Sequence, residues 1–296
     1  MQTSAQTIGC TSEHPNTMVQ CLDRPRIKST AEPTAQASTT GGLQWHDAQV
    51  EGSSQIDRQD INKLRQFIDG LDLDRLNQQF ESATPQEILT WCLRNLPKGL
   101  VQTTSFSLPV VTHMLYQELN YPVPVVFLDT LHLFPETLST AKKAEALYGL
   151  NLCTYSVVGA RSASAFAAQY GDRLWETDIE RFYTLTKIEP LQRALNELGA
   201  IAWITGRRRD QSQTRRTLDI FERDEQGRLK INPLAHWTKK EVWGYIFEQG
   251  VLYNPLHDQG YTSIGDQPLT TPTLAGEDER AGRWRGSAKT ECGIHL

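Results

Sequence analysis

From residue 99 onward, short apolar runs alternate with segments long enough to be helices, and this alternation limits the possible folds more than any other feature of the chain. The runs occupy residues 99–102, 123–128, 150–155 and 201–205. Each is too short for a buried helix, and the spacing between them suits crossover connections rather than hairpins. The pattern predicts an α/β domain with a mainly parallel, twisted sheet flanked by helices. Upstream, Ile61, Leu64, Phe67, Ile68 and Leu71 fall on one helical stripe, and Thr84-Pro85-Gln86-Glu87 forms a capping box with proline at the first helical position. Two helices are therefore expected before the sheet. A second capping box, Thr238-Lys239-Lys240-Glu241, opens a last helix that Gly250 stops, and loop chemistry follows.

The 296 residues carry a net charge of −5 and no apolar run of bilayer-spanning length, so neither a membrane role nor general nucleic-acid binding is expected. Positive charge is locally dense at Arg207-Arg208-Arg209 and Arg215-Arg216, which suits a small anionic ligand, although a solvated charged loop is the usual fate of such a run. The five cysteines (Cys10, Cys21, Cys92, Cys153 and Cys292) are odd in number and contain no CxxC pair. They suggest neither a disulfide framework nor a metal site, and they fit a reducing cytoplasm. Cys92 and Cys153 lie in apolar stretches where packing explains them. Residues 1–54 are low in complexity and read as a disordered extension, residues 55–275 as an α/β domain, and residues 276–296 as a mobile C-terminal tail. Glu13, Asp23 and Glu32 speak against a transit peptide in the extension.

In parallel sheets, ligands bind beyond the carboxyl ends of strands. Thr103-Thr104-Ser105-Phe106-Ser107, Asp129-Thr130 and Gly206-Arg207-Arg208-Arg209 should emerge there. The hydroxyl run could hold a phosphate or simply start a helix, and Asp129 could meet a nucleotide or cap the helix near Pro135. At the other end of the chain, Glu291-Cys292-Gly293-Ile294-His295-Leu296 puts a lone thiol beside an imidazole, shortly after Arg280, Arg283, Arg285 and Lys289. Nearby cations stabilise thiolate, the nucleophilic form, so Cys292 is a candidate nucleophile; a solvated tail cysteine is the alternative. Arg280 and Arg283 could instead pair with Glu277, Asp278 and Glu279 at the surface.

These segments, together with Leu128 through Thr137, Lys187-Ile188-Glu189-Pro190-Leu191, Tyr253 through Asp266 and Gly276 through Trp284, resemble the assimilatory phosphoadenylyl-sulfate (PAPS) reductase family over roughly residues 55–296. The resemblance implies an adenine-nucleotide alpha-hydrolase-like (ATP-pyrophosphatase-like) fold. It also implies thioredoxin-dependent reduction of PAPS to sulfite and adenosine 3',5'-bisphosphate, through an S-sulfocysteine on Cys292, in sulfate assimilation toward cysteine. On that basis Cys292 and His295 are catalytic, and Lys187, Arg280 and Arg283 surround the phosphosulfate. Thr104, Ser105, Ser107, Asp129, Thr130, Arg208, Arg209 and Arg215 hold the nucleotide. Reduced thioredoxin is the implied electron donor and partner, no cofactor is bound, and a homodimer is implied. The sister class of adenylyl-sulfate (APS) reductases binds a [4Fe-4S] cluster through four cysteines, where this chain has Phe182, Tyr183, Asp266 and Leu269, so no cluster is expected. Gln267-Pro268 and Thr271 depart from the cluster-free pattern, so the resemblance does not assign the 3'-phosphate contacts to particular residues there. A cluster-free APS reductase, an ATP-pyrophosphatase relative and a non-catalytic nucleotide sensor are the competing readings.

Overall fold

Helix α1 (Arg58–Asp69) is the first element of the computed structural model, which describes residues 58–295 apart from residue 288. The expectation for residues 1–54 lies outside the described residues. Helices α2 (Leu73–Phe80) and α3 (Pro85–Asn95) follow, so three helices precede the sheet rather than two. The second is only two turns long; it starts where Asp72 accepts the Arg75 N–H at 3.1 Å and buries only Leu76 and Phe80. The Thr84 capping box is formed in full, with Thr84 Oγ1 accepting the Glu87 N–H at 3.3 Å and the Glu87 carboxylate accepting the Thr84 N–H at 2.7 Å.

The sheet contains β1 (Leu100–Thr104), β2 (Val125–Leu128), β3 (Leu152–Tyr155), β4 (Ala202–Ile204), β5 (Phe221–Arg223) and β6 (Leu229–Ile231), in the order β3-β2-β1-β4-β6-β5. All neighbours run parallel except the β5–β6 edge pair. Those last two strands have only three residues each and join through a turn at Gly227, too short to leave a periodic signal. Successive strand residues face opposite sides. Leu100, Val125, Phe127, Ala202 and Ile204 enter the larger core against α3, α4 (Val110–His113), α5 (Pro135–Tyr148) and α10 (Lys239–Gln249). Val101, Val126 and Trp203 pack on the other side against Leu191, Ala194 and Leu195 of α9 (Glu189–Glu197).

Helices α6 (Ala163–Tyr170), α7 (Leu174–Thr177) and α8 (Ile179–Tyr183) lie between β3 and α9, and α8 continues into α9 through a π-helical turn, Thr184–Ile188. Pro190 has no N–H to offer the preceding turn, and the Glu189 N–H bonds the Thr184 carbonyl instead. Strand order reverses at β1, because β2 and β3 are added on one side and β4 and β6 on the other. The crevice at such a reversal is where sheets of this kind accept ligands.

Candidate active site

A cleft of about 240 Å³ opens at the carboxyl ends of β1, β2 and β4. Thr104, Ser105 and Ser107 line it at the end of β1. The backbone turns there at Phe106, whose φ of 51° is strained for a non-glycine residue; its buried ring locks the turn by packing edge-on to Phe127 at 5.2 Å. Helix α4 begins only at Val110, and Pro109 makes no side-chain cap, so the hydroxyl run does not cap that helix. Ser107 Oγ lies 2.9 Å from His257 Nε2, and burial pushes the His257 pKa down to about 4, leaving the ring neutral.

At the end of β2, Asp129 accepts the Leu131 N–H at 2.9 Å, which holds Leu131 at a φ of 63°. Asp129 does not line the cleft, and burial raises its pKa. It shapes the turn rather than facing a ligand, and it does not cap α5, where Phe134 holds the cap position. Thr130 does line the cleft, and its hydroxyl donates to Asp266 at 2.7 Å.

Past β4, Arg207, Arg208 and Arg215 line the cleft. Arg209 does not line the cleft: its guanidinium is bonded to the Glu81 carboxylate and its Nε donates to the Leu218 carbonyl at 2.7 Å. A 3-10 turn, Arg209–Gln211, rotates the side chain away from its neighbours. Arg207, absent from the expected set, takes a place in the lining. It pairs with Glu222, while Arg208 pairs with Asp210 at 2.9 Å and Glu279 at 2.6 Å.

The π-helical turn carries Lys187 into the cleft wall, 4.5 Å over the Tyr183 ring and 2.6 Å from Asp266. Asp266 is fully buried. Burial alone would raise its pKa, but the Lys187 and Arg283 charges and the bonds from Lys187 and Thr130 outweigh it and hold the carboxyl below its usual range. Arg283 lies across Gly265, where any Cβ would collide with the guanidinium, and stacks over Trp284 at 4.5 Å. Its Nη1 reaches the Ile264 carbonyl at 3.4 Å, and its buried Nε has no partner. Arg280 also lies over the Trp284 ring, at 5.2 Å, and its Nε is likewise buried and unpartnered. Burial and the neighbouring Arg215 charge lower the Arg280 pKa to about 10. Neither arginine pairs with Glu277, Asp278 or Glu279; Arg285 takes Glu277 instead.

The tail returns over this cationic wall. Glu291 accepts from Arg215 Nε and Nη2 at 2.7 Å each and from Arg280 at 3.2 Å. Cys292, half-buried, lines the cleft and packs beside Tyr183 and Trp284. Gly293 has a φ of 90°, a backbone conformation that favours glycine. His295 stacks on Trp203 with the rings 8° from parallel, its Nδ1 buried without a partner. Burial and the charges of Arg207, Lys230, Arg215 and Arg280 hold His295 well below its ordinary pKa, so the ring is neutral here. The cleft therefore brings together Thr104, Ser105, Ser107, Thr130, Lys187, Arg208, Arg215, Arg280, Arg283, Cys292 and His295.

The positions of the four cysteines in cluster-bearing relatives also come together. Phe182, Tyr183 and Leu269 share one apolar cluster with Trp284 and Cys292, and Asp266 sits beside Tyr183. Trp284 Nε1 donates to the Tyr183 hydroxyl at 2.5 Å. Iron–sulfur clusters are held by thiolates, and this packed aromatic and ion-paired set offers none from those positions.

The family model for the phosphoadenosine phosphosulfate reductase domain matches residues 100–272. The phosphoadenosine phosphosulfate reductase of Emericella nidulans is 46% identical over 230 residues, which cover 75% of this chain and 74% of that protein. The adenosine 5'-phosphosulfate reductase of Streptomyces coelicolor is 40% identical over 223 residues, covering 75% of this chain and 92% of that protein. The crystal structure of phosphoadenylyl-sulfate (PAPS) reductase from Candida auris in a phosphate complex superimposes with a TM-score of 0.59 at 38% identity, covering 74% of this chain and 100% of that one. By both sequence and fold, this chain belongs to the phosphoadenosine phosphosulfate reductase family.

Proposed function

We propose that this protein reduces PAPS to sulfite and adenosine 3',5'-bisphosphate with electrons from thioredoxin. The observation that carries the proposal is a cysteine sulfur on the rim of a cleft whose wall holds two buried arginine Nε atoms without partners, on Arg280 and Arg283. Buried donors are ordinarily satisfied, so a cleft wall with two vacant ones suits an anionic ligand. The Cys292 thiolate attacks the sulfonate sulfur, the sulfur–oxygen bond to the phosphate breaks, and its electron pair leaves on adenosine 3',5'-bisphosphate. Lys187, Arg280 and Arg283 screen the approach of one anion to another and stabilise charge building on the leaving phosphate.

A thioredoxin thiolate then attacks Cys292 Sγ and expels sulfite with the electron pair of the sulfur–sulfur bond. The second thioredoxin thiol, after losing its proton, resolves the mixed disulfide and returns the Cys292 thiolate. Thr104, Ser105 and Ser107 offer hydroxyls to the nucleotide. Neutral His295 serves as a hydrogen-bonding group in the cleft lining rather than as a fixed cation, and a bound polyanion would favour its protonation. A free thiol nucleophile suits a reducing cytoplasm.

The 40% identity to an adenosine 5'-phosphosulfate reductase keeps APS as a second substrate reading. Incubating reduced protein with PAPS or with APS in the absence of thioredoxin, followed by intact mass measurement, tests both. The reading expects a sulfonate-sized gain on Cys292 with PAPS, its loss as sulfite on adding thioredoxin, and no gain in Cys292→Ser. A gain with APS alone transfers the function to APS; no gain with either nucleotide refutes the S-sulfocysteine route.

A further inference from the structure

We propose that Glu291 is a positioning residue for Cys292 and that Arg215 is its docking partner rather than a nucleotide ligand. This rests on the reaction proposed above. Arg215 is buried and presents its fork to the neighbouring carboxylate in bidentate fashion, with Nε and Nη2 each 2.7 Å from a Glu291 oxygen. Its remaining prong donates to Gln211 Oε1 at 2.5 Å. The fork is thus spent inside the protein, whereas Arg280 and Arg283 each keep a buried Nε vacant.

Glu291 precedes the nucleophile directly, so its bonds fix the chain on the near side of Cys292. The far side is fixed separately: Ile294 packs beside Trp203 and Leu191, and Lys230 Nζ donates to the His295 carbonyl at 3.0 Å. Gly293, whose Cβ would come within 3.1 Å of Ile188, lets the chain turn between these anchors. A tail with no regular secondary structure of its own relies on side-chain anchors of this kind to hold a sulfur in line with a scissile bond. Burial by itself would raise the Glu291 pKa, but Arg215 and Arg280 outweigh it and hold the carboxyl below its usual range, so the latch is charged at neutral pH.

Four full-length proteins test this: wild type, Glu291→Gln, Arg215→Lys and the double variant. Lysine keeps the charge of Arg215 but loses the fork. Three measurements are made on each: the Kd for adenosine 3',5'-bisphosphate by calorimetry, the single-turnover rate of Cys292 sulfonation by PAPS without thioredoxin, and the rate of Cys292 alkylation by iodoacetamide without nucleotide. Positioning predicts that each single variant slows sulfonation roughly 10- to 100-fold. It also predicts a Kd within about threefold of wild type, faster alkylation, and a double variant no slower than the slower single one.

If Arg215→Lys weakens nucleotide binding by tenfold or more and the two slowdowns multiply, Arg215 holds nucleotide and the proposal is overturned. If Glu291→Gln tightens nucleotide binding and speeds sulfonation, Glu291 competes with substrate, which also overturns it. Absence of sulfonation in the wild type would refute the reaction reading, and the docking assignment would then be decided by alkylation: equal rates in all four proteins would overturn it.

Discussion

Replacing Asp266 with asparagine isolates the charge that holds Lys187. The variant preserves the side-chain shape and leaves an oxygen to accept from Thr130, now 2.7 Å away, but it presents an amide where the Lys187 ammonium sits at 2.6 Å. Lys187 is only 8% exposed, so its ammonium is largely desolvated where it stands. Removing one partner of a buried pair costs about 3–5 kcal/mol, because the surviving charge stays desolvated. For a domain of this size that corresponds to a fall in Tm of roughly 6–20 °C. Urea unfolding of wild type and Asp266→Asn at pH 7 measures it directly.

The sign of the pH dependence follows from the depressed carboxyl. The folded-state pKa lies below the ordinary 3.8, so the unfolded chain takes up the proton first as pH falls. The contribution of Asp266 is therefore fully present well above pH 3.8 and is lost as the pH falls below that value toward the folded pKa, where wild type and variant converge. The activity of the surviving folded fraction should also drop, since Lys187 loses its anchor beside the cleft. A stability difference below about 1 kcal/mol at pH 7, or one that widens as the pH falls, would refute the assignment of Asp266 as a charged anchor.

Gly265→Ala should displace the Arg283 guanidinium, the flexible end of the clash, and lower the rate of Cys292 sulfonation at least about tenfold with little change in Tm; an unchanged rate would show that the position of Arg283 is immaterial. Arg209→Ala should leave nucleotide affinity within about twofold in a calorimetric titration and cost about 1 kcal/mol or less in urea unfolding, because its partner Glu81 is exposed; a tenfold loss of affinity would restore it to the nucleotide site.

Those residues also show what the sequence could and could not convey. The strands that build the cleft were legible because apolar runs separated by crossover-length segments admit few topologies, and both capping boxes formed where Ser/Thr and Glu spacing placed them. The return of Cys292 and His295 to the cleft was legible because a thiol beside an imidazole after several arginines has little structural use. The neighbouring arginines were harder to separate. Arg207, Arg208 and Arg209 are chemically identical, and which of them faces the cleft depends on a 3-10 turn of three residues whose geometry follows from tertiary contacts with Glu81, Glu222 and Glu279. Asp129 was ambiguous between two functions and took a third, fixing a strained turn at Leu131, because an aspartate can bond its own backbone two residues on. Asp266 and Glu291 were hidden for a different reason: a carboxylate 79 residues from Lys187, or 76 from Arg215, leaves no local pattern in the chain.

The distribution of carboxylates around the cleft bears on the order of events. Lys187, Arg207 and Arg208 take their counter-charges from Asp266, Glu222, Asp210 and Glu279, none of which lies among the last six residues. Arg215 and Arg280 take theirs from Glu291, which belongs to the tail. On the reaction proposed above, seating residues 291–295 would bring Cys292 to the cleft and cover part of the cationic wall together. Of the wall arginines, Arg283 retains no ion pair among the described residues, and its vacant Nε persists with the tail in place. On the docking assignment for Glu291, an anion arriving first meets Arg215, Arg280 and Arg283 uncovered and is drawn in by their summed field. The tail arriving second takes back Arg215 and one prong of Arg280 and leaves Arg283 without an ion pair. The reverse order would ask a polyanion to enter past a carboxylate already seated on two of the three arginines, so the charge arrangement favours nucleotide before tail.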